Sequence, residues 1–274
     1  GPRVLKLFFD VMRSEYKAKP VVAFRKELGL PDYGNPMFEG QHSPLRVLAL
    51  FSEVFAAPQP DWPSHAAVTG FCFYHDNQES ALPPELADFL DNGPPPIVFT
   101  LGSSAVWIGR EFFRESIDAA KRLGQRAVLL IGDERNHPGT LPGNMIAVEY
   151  VSYESLMSRA SVVVHHGGVG TTSNGLLAGV PTLIVPFAFD QSDNAAHAAR
   201  LGVSRTVYRH KYRTPRVANE LGKLLHDPAY ARRAEEVSRK LKQENGVARA
   251  SDLIEQVLDG RPNKVEELAY ASRN

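Results

Sequence analysis

The chain has 274 residues, with 31 Lys plus Arg against 31 Asp plus Glu and a formal net charge of zero. That length supports one large domain or two small ones, and the charge balance, with no long basic or acidic block, speaks against nucleic acid and membrane surfaces as partners. A single cysteine, Cys72, excludes an intramolecular disulfide and a cysteine-rich metal site. No apolar run approaches the roughly 20 residues that span a bilayer, and no signal peptide opens the chain, so a reducing, cytoplasmic location is expected. The opening Gly1-Pro2 reads as the scar of a cleaved tag, and the chain is expected to be part of a longer one.

In chain order, residues 1–74 read as a helix, a Pro/Gly-rich loop ("LGLPDYGNPMFEG", 28–40) and one strand within "RVLALFSEVF" (46–55). One strand cannot make a sheet, so this segment is expected to be the remnant of a domain. Residues 75–96, "HDNQESALPPELADFLDNGPPP", are polar and proline-rich with one short helix, which suits an interdomain linker. From 97 the pattern changes. "IVFTLGSS" (97–104), "RAVLLIGD" (126–133), "NMIAVEYV" (144–151), "SVVVHHGG" (161–168), "TLIVPF" (182–187) and "VSRTVY" (203–208) are short apolar runs read as buried strands.

Helical patterns separate these runs. In 110–124, Phe113, Ile117, Ala120 and Leu123 share one face and Gly124 suits a stop. Another helix runs to Gly179, with Pro181 beyond it, and helices over 215–226, 229–244 and 247–259 close the series. The last carries a stripe of Val247, Ala250, Leu253, Ile254, Val257 and Leu258. Apolar strands alternating with amphipathic helices predict an α/β fold: a Rossmann-like parallel sheet with helices on both faces over 97–262. Ligands of such sheets sit beyond the carboxyl ends of the strands. Residues 263–274 form a tail.

"SVVVHHGGVGTT" (161–172) places Gly167, Gly168 and Gly170 between a buried strand and a helix. Glycine lets backbone N–H groups approach a ligand, and a helix N-terminus adds unpaired donors and partial positive charge. Thr171 and Thr172 add hydroxyls, which makes a diphosphate cradle. A tight strand–helix turn with no ligand is the alternative. The dinucleotide pattern G-x-G-x-x-G lacks its third glycine at Ser173, although Asp190 lies near the spacing of a ribose-binding acid. A Walker loop lacks its Gly-Lys-Ser/Thr. Adjacent strand residues point to opposite faces, so His165 and His166 are not expected to share a metal.

The run His165-x-Gly167-x-x-Gly170-Thr171, followed by "AGVP" (178–181), Pro186 and Asp190-Gln191, resembles the donor-binding signature of nucleotide-sugar-dependent glycosyltransferases of the GT-B fold. "LPPELADFLDNGPPPIVFTLGSS" (82–104) and "VSYESLMSRASVVVHHG" (151–167) extend the likeness to the bacterial branch acting on macrolides, glycopeptides and flavonoid-like aglycones. The resemblance covers about 46–260, with separated motifs in order. It implies the C-terminal, donor-binding half of a two-domain enzyme, whose N-terminal domain binds the acceptor and supplies the catalytic base.

The resemblance further implies a role for each matched position. Val151 packs beside the base, whose edge pairs with backbone near Ser152. Glu154 falls where a ribose-contacting Gln is usual. Ser103 or Ser104 contacts the β-phosphate, and His165 donates to a phosphate oxygen. Gly168, Val169, Gly170 and Thr171 cradle the diphosphate, while Asp190 and Gln191 take the sugar hydroxyls. The donor is a dTDP- or UDP-sugar, bound as substrate with no cofactor and no metal. Many UDP-using relatives carry a ribose-clamping Glu at the position of Ser173, which favours dTDP here. The acceptor is a small aromatic or polyketide hydroxyl. His42 and His65 lie in loops, so no histidine of 1–70 matches the catalytic base, and the chain alone is expected to be inactive in transfer. A nucleotide-sugar epimerase and a non-catalytic sugar-nucleotide binding module are the other readings.

Overall fold

The computed structural model describes residues 15–31, 34–35, 39–73, 82–102 and 109–260. These form two compact units, one of 15–50, 58–69 and 248–260 and the other of 51–57 and 70–247, masked residues aside. The first contains helix α1 (Glu15–Glu27) and two three-residue strands, β1 (Val47–Ala49) and β2 (Ala66–Val68). The strands pair in parallel, Val47 opposite Ala66 and Ala49 opposite Val68. The single strand expected over 46–55 is thus cut to three residues and gains a partner. Three residues are too few for a period-2 pattern, so β2 carries no sequence signature.

The second unit is built on six strands: β3 (Ile97–Thr100), β4 (Ala127–Leu130), β5 (Met145–Val148), β6 (Val162–His165), β7 (Thr182–Ile184) and β8 (Ser204–Thr206). All pair in parallel, in the order β5-β4-β3-β6-β7-β8. This is the expected Rossmann-like sheet. Side chains alternate between two buried faces. Ile97, Phe99, Leu129 and Val164 join α3 (Arg110–Arg122) and α7 (Thr214–His226) on one side. On the other, Val98, Val128 and Val163 meet α2 (Pro84–Asp91) and α4 (Tyr153–Met157). Ile184 meets α5 (Val169–Ala178), α6 (Gln191–Arg200) and α8 (Pro228–Leu241) on that same side. Burial on both faces explains why the strands read as unbroken apolar runs.

Local chemistry sets the helix ends. Gly179 closes α5 at φ +73°, its N–H bonding Gly175 and Leu176 carbonyls, as the glycine before Pro181 predicts. Asp227 caps α8 by accepting from the Ala229 N–H. Within the stretch expected as a linker, α2 sends Leu86 and Leu90 into the sheet core, while residues 75–81 lie outside the described residues. The apolar stripe of α9 (Gly246–Asp259) is largely outside any core: Ala250 is buried, but Val247, Ile254 and Leu258 are exposed.

Phe113 is fully buried on α3, in the cluster with Phe99 and Leu129. Phe113→Ala is expected to lower unfolding free energy by about 3–5 kcal/mol, as for large aromatic truncations in a close-packed core. Leu258→Ala, on an exposed face, is expected to change it by less than about 0.5 kcal/mol. Urea unfolding of both variants checks the contrast.

Candidate functional site

β3 and β6 are neighbours, yet the strands following β3 build outward one way and those following β6 the other. The connections beyond the two strands therefore diverge, leaving a crevice at their carboxyl ends. Both histidines stand at its β6 side. His165 is the last strand residue, fully buried. Its Nδ1 accepts from the Gly167 N–H at 3.1 Å, and its Nε2 is buried with no hydrogen-bond partner. Burial, with His166 adding to it, pushes its pKa down to about 3. The ring is therefore neutral at pH 7, and with Nδ1 accepting, its proton sits on Nε2.

His166 follows the end of β6, and its ring meets that of His165 edge-on, with centroids 6.5 Å apart and planes at 82°, so the opposite-face alternation expected of consecutive strand residues does not hold here. Its Nδ1 accepts from the Gly102 N–H at 3.1 Å, joining the β3 loop to the β6 loop across the crevice. A Cβ at either Gly102 or Gly168 would overlap the same ring. Burial lowers the His166 pKa, and the Asp190 carboxylate pulls the other way. The sequence pointed to one histidine touching phosphate; this bridging role for the other was not foreseen.

Gly167 turns the chain at φ +93°, where a Cβ would press on Ile184 and the Gln191 backbone. Gly168 then starts α5 with no side-chain cap and no acid in the first turn. The first bond of the turn runs from the Thr172 N–H to the Gly168 carbonyl, so the amides of Val169, Gly170 and Thr171 precede it and are available to an anion. The Thr172 hydroxyl is committed to the Gly168 carbonyl at 2.9 Å. Ser173 is buried, with its hydroxyl on the Gly170 carbonyl at 2.8 Å.

The loop after β7 is held by Gln191, whose Oε1 accepts from the Phe187 and Ala188 amides at 2.8 and 3.0 Å. The carbonyl expected to meet sugar is thus occupied by the turn, and a ligand contact from this side chain falls to its NH2 group. Asn194, one helical turn after Asp190, donates to Asp190 Oδ2 at 2.8 Å and to the Gly167 carbonyl at 2.9 Å. It ties the carboxylate to the glycine turn. No role was expected for Asn194, though its i+4 spacing from Asp190 was a usable signal. Between these residues Phe189 sits at φ +57°, the only non-glycine residue with positive φ among the described residues. The left-handed region costs such a residue about 1–2 kcal/mol.

Val151 is buried in the core beside Val98 and Leu156, so its side chain packs inward. Ser152 is the N-cap position of α4, and Glu154 is exposed in its first turn. Tyr153 connects α4 to the end of β3 through a 3.3 Å contact between its hydroxyl and that of Thr100. Ser103 and Ser104 lie outside the described residues. Among the described residues no group of three or more His, Cys, Asp or Glu could hold a metal ion, and no helix is long and apolar enough to cross a membrane.

Residues 114–252 match the family described as "Erythromycin biosynthesis protein CIII-like, C-terminal domain". The chain belongs to this family. Its sheet and flanking helices are those of the C-terminal half of a GT-B glycosyltransferase. The O-mycaminosyltylonolide 6-deoxyallosyltransferase of Streptomyces fradiae is 35% identical over 249 residues, covering 90% of this chain and 58% of that enzyme. The glycotransferase of kitacinnamycin superposes with a TM-score of 0.75 at 25% identity, covering 94% of this chain and 66% of that one. The glycosyltransferase VinC, solved in complex with dTDP, shares the fold with a TM-score of 0.64 at 21% identity, over 88% of this chain and 58% of VinC. The EryCIII-like chain thus spans less than two thirds of each of these proteins.

The buried neutral His165 has a consequence for stability. Between about pH 6.5 and about 3 the folded ring stays neutral while the unfolded one takes up a proton. Stability is therefore expected to fall as pH drops below 6.5, by up to about 1.4 kcal/mol per pH unit from this group. His165→Asn keeps an acceptor for the Gly167 amide and removes the titration. Its unfolding free energy between pH 7 and 4.5 is expected to have the shallower pH slope.

Proposed function

We propose that the chain is the donor-binding half of a cytoplasmic glycosyltransferase. The enzyme moves a hexose or deoxyhexose from a nucleoside-diphosphate sugar, dTDP in preference to UDP, to a hydroxyl of a small aglycone such as a polyketide or flavonoid. The observation that carries this reading is the uncapped N-terminus of α5 at the β3–β6 crevice, with the buried, unpartnered Nε2–H of His165 at the same strand end. A diphosphate supplies acceptors for the helix amides and, once the Gly167 turn opens around it, for the Nε2–H, which has no accessible surface in this structure.

As the glycosidic bond breaks, negative charge grows on the departing β-phosphate. The amides of Val169, Gly170 and Thr171, already fixed in direction by the helix, stabilise that charge without reorganising. His165 donates from Nε2 to a phosphate oxygen. Asp190, oriented by Asn194, accepts from sugar hydroxyls, and Gln191 donates from its NH2. The acceptor hydroxyl needs a general base, which we place in the acceptor domain of the full-length enzyme.

Two features support dTDP. Ser173 is buried and bonded to its own helix, so no carboxylate reaches the 2′ and 3′ hydroxyls from that position, and a deoxyribose has no 2′-OH to leave unpartnered. VinC, of the same fold, was solved with dTDP.

Calorimetry on the 274-residue chain is expected to show tighter binding of dTDP than of UDP, and His165→Ala is expected to weaken dTDP by about 1–3 kcal/mol. Equal affinity for the two nucleotides would remove the dTDP preference, and unchanged dTDP affinity in the variant would remove His165 from the site. The same chain, given a dTDP-sugar and a polyketide or phenolic acceptor, is expected to form no glycoside until the acceptor domain is supplied. Product formed by the chain alone, detected by mass spectrometry, contradicts that assignment of the base.

A further inference from the structure

Phe189 combines two features that folding alone does not account for. It is the residue held at φ +57° among the described residues, a conformation that glycine or asparagine adopts far more readily than a bulky aromatic. Its side chain is also 87% exposed, more than any other large hydrophobic residue described. The ring therefore contributes little burial, while its backbone is in a costly conformation. The neighbours enforce that conformation: Gln191 Oε1 holds the Phe187 and Ala188 amides, and Asp190 begins the approach to α6. Strain maintained without a packing return is a mark of a residue placed for a ligand.

The place narrows the ligand. Phe189 adjoins Asp190, the carboxylate that Asn194 ties to the Gly167 turn of the crevice. A carboxylate and an exposed aromatic ring on consecutive residues are suited to a sugar: the acid takes hydroxyls, and an electron-rich ring face can meet the weakly positive C–H groups on the less polar side of a pyranose. We propose that Phe189 is a platform for the less polar face of the donor's sugar. This rests on the donor-site reading above.

The test separates the sugar from the nucleotide. Affinities of dTDP and dTDP-glucose are measured by calorimetry for the parent chain, Phe189→Gly and Phe189→Tyr. In Phe189→Gly, dTDP affinity is expected to stay unchanged and dTDP-glucose affinity to fall about tenfold, the order of losing one aromatic contact; Phe189→Tyr is expected to keep both. The glycine variant, relieved of strain, is expected to have a Tm no lower than the parent. An unchanged ratio of the two affinities in Phe189→Gly overturns the proposal, as does a lowered Tm, which would make the ring structural. A parent chain that binds neither ligand overturns the donor-site reading and this proposal with it.

Discussion

The parallel pairing of β3 with β6 is the constraint on which the rest of this molecule depends. Ile97 to Phe99 lie beside Val162 to Val164 with both faces buried, so a shift in register would move each side chain into the core on the other side of the sheet. The β3–β6 register ends at Phe99 and Val164, while β6 stays bonded on its other side, the Val185 N–H reaching the His165 carbonyl at 2.8 Å. Side chains complete the bonding beyond that register. His166 takes the Gly102 amide, and His165 takes that of Gly167.

Placing two imidazoles side by side in a buried strand end is possible because both stay uncharged. Burial acts on each in the same direction, and each ring accepts one backbone hydrogen bond through Nδ1. The arrangement leaves the donors to the helix: with no capping side chain and no acid at the start of α5, nothing in the described chain competes for the first amides. Asn194 and Gln191 then brace the β7 loop against this centre from α6, so the carboxylate of Asp190 is held by a two-bond tether instead of being free on the surface.

Most of the sheet was legible in the sequence because its strands are buried on both faces and are punctuated by helices with clear stops, Gly124 and Gly179 among them. The β1–β2 pair was not, since three residues carry no period. The stripe on α9 read correctly as a helix but not as a core face: a pattern shows that apolar residues align, not what covers them. At the site, the glycine turn was visible from the sequence, and the Asp190-Gln191 pair was singled out by the family resemblance. Side-chain allegiances were not visible. Whether Gln191 Oε1 faces a ligand or the Phe187 amide, and whether the Ser173 hydroxyl faces outward or bonds back to Gly170, is decided by competition between nearly equivalent hydrogen bonds. Composition and periodicity carry no information about that competition.

The crowding around the His166 ring links three positions that lie up to 66 residues apart in the chain, Gly102, His166 and Gly168. Each glycine is small for the sake of the same ring, and the ring reaches Gly102 only because no methyl intervenes. Variation at these positions is therefore not independent. A smaller residue at 166 would release both glycines to become alanine or serine, whereas either substitution made first would strand the imidazole. In a population of homologous sequences the three sites would change as a set, and a laboratory evolution experiment that altered one of them would be obliged to cross a less stable intermediate before reaching the other combination.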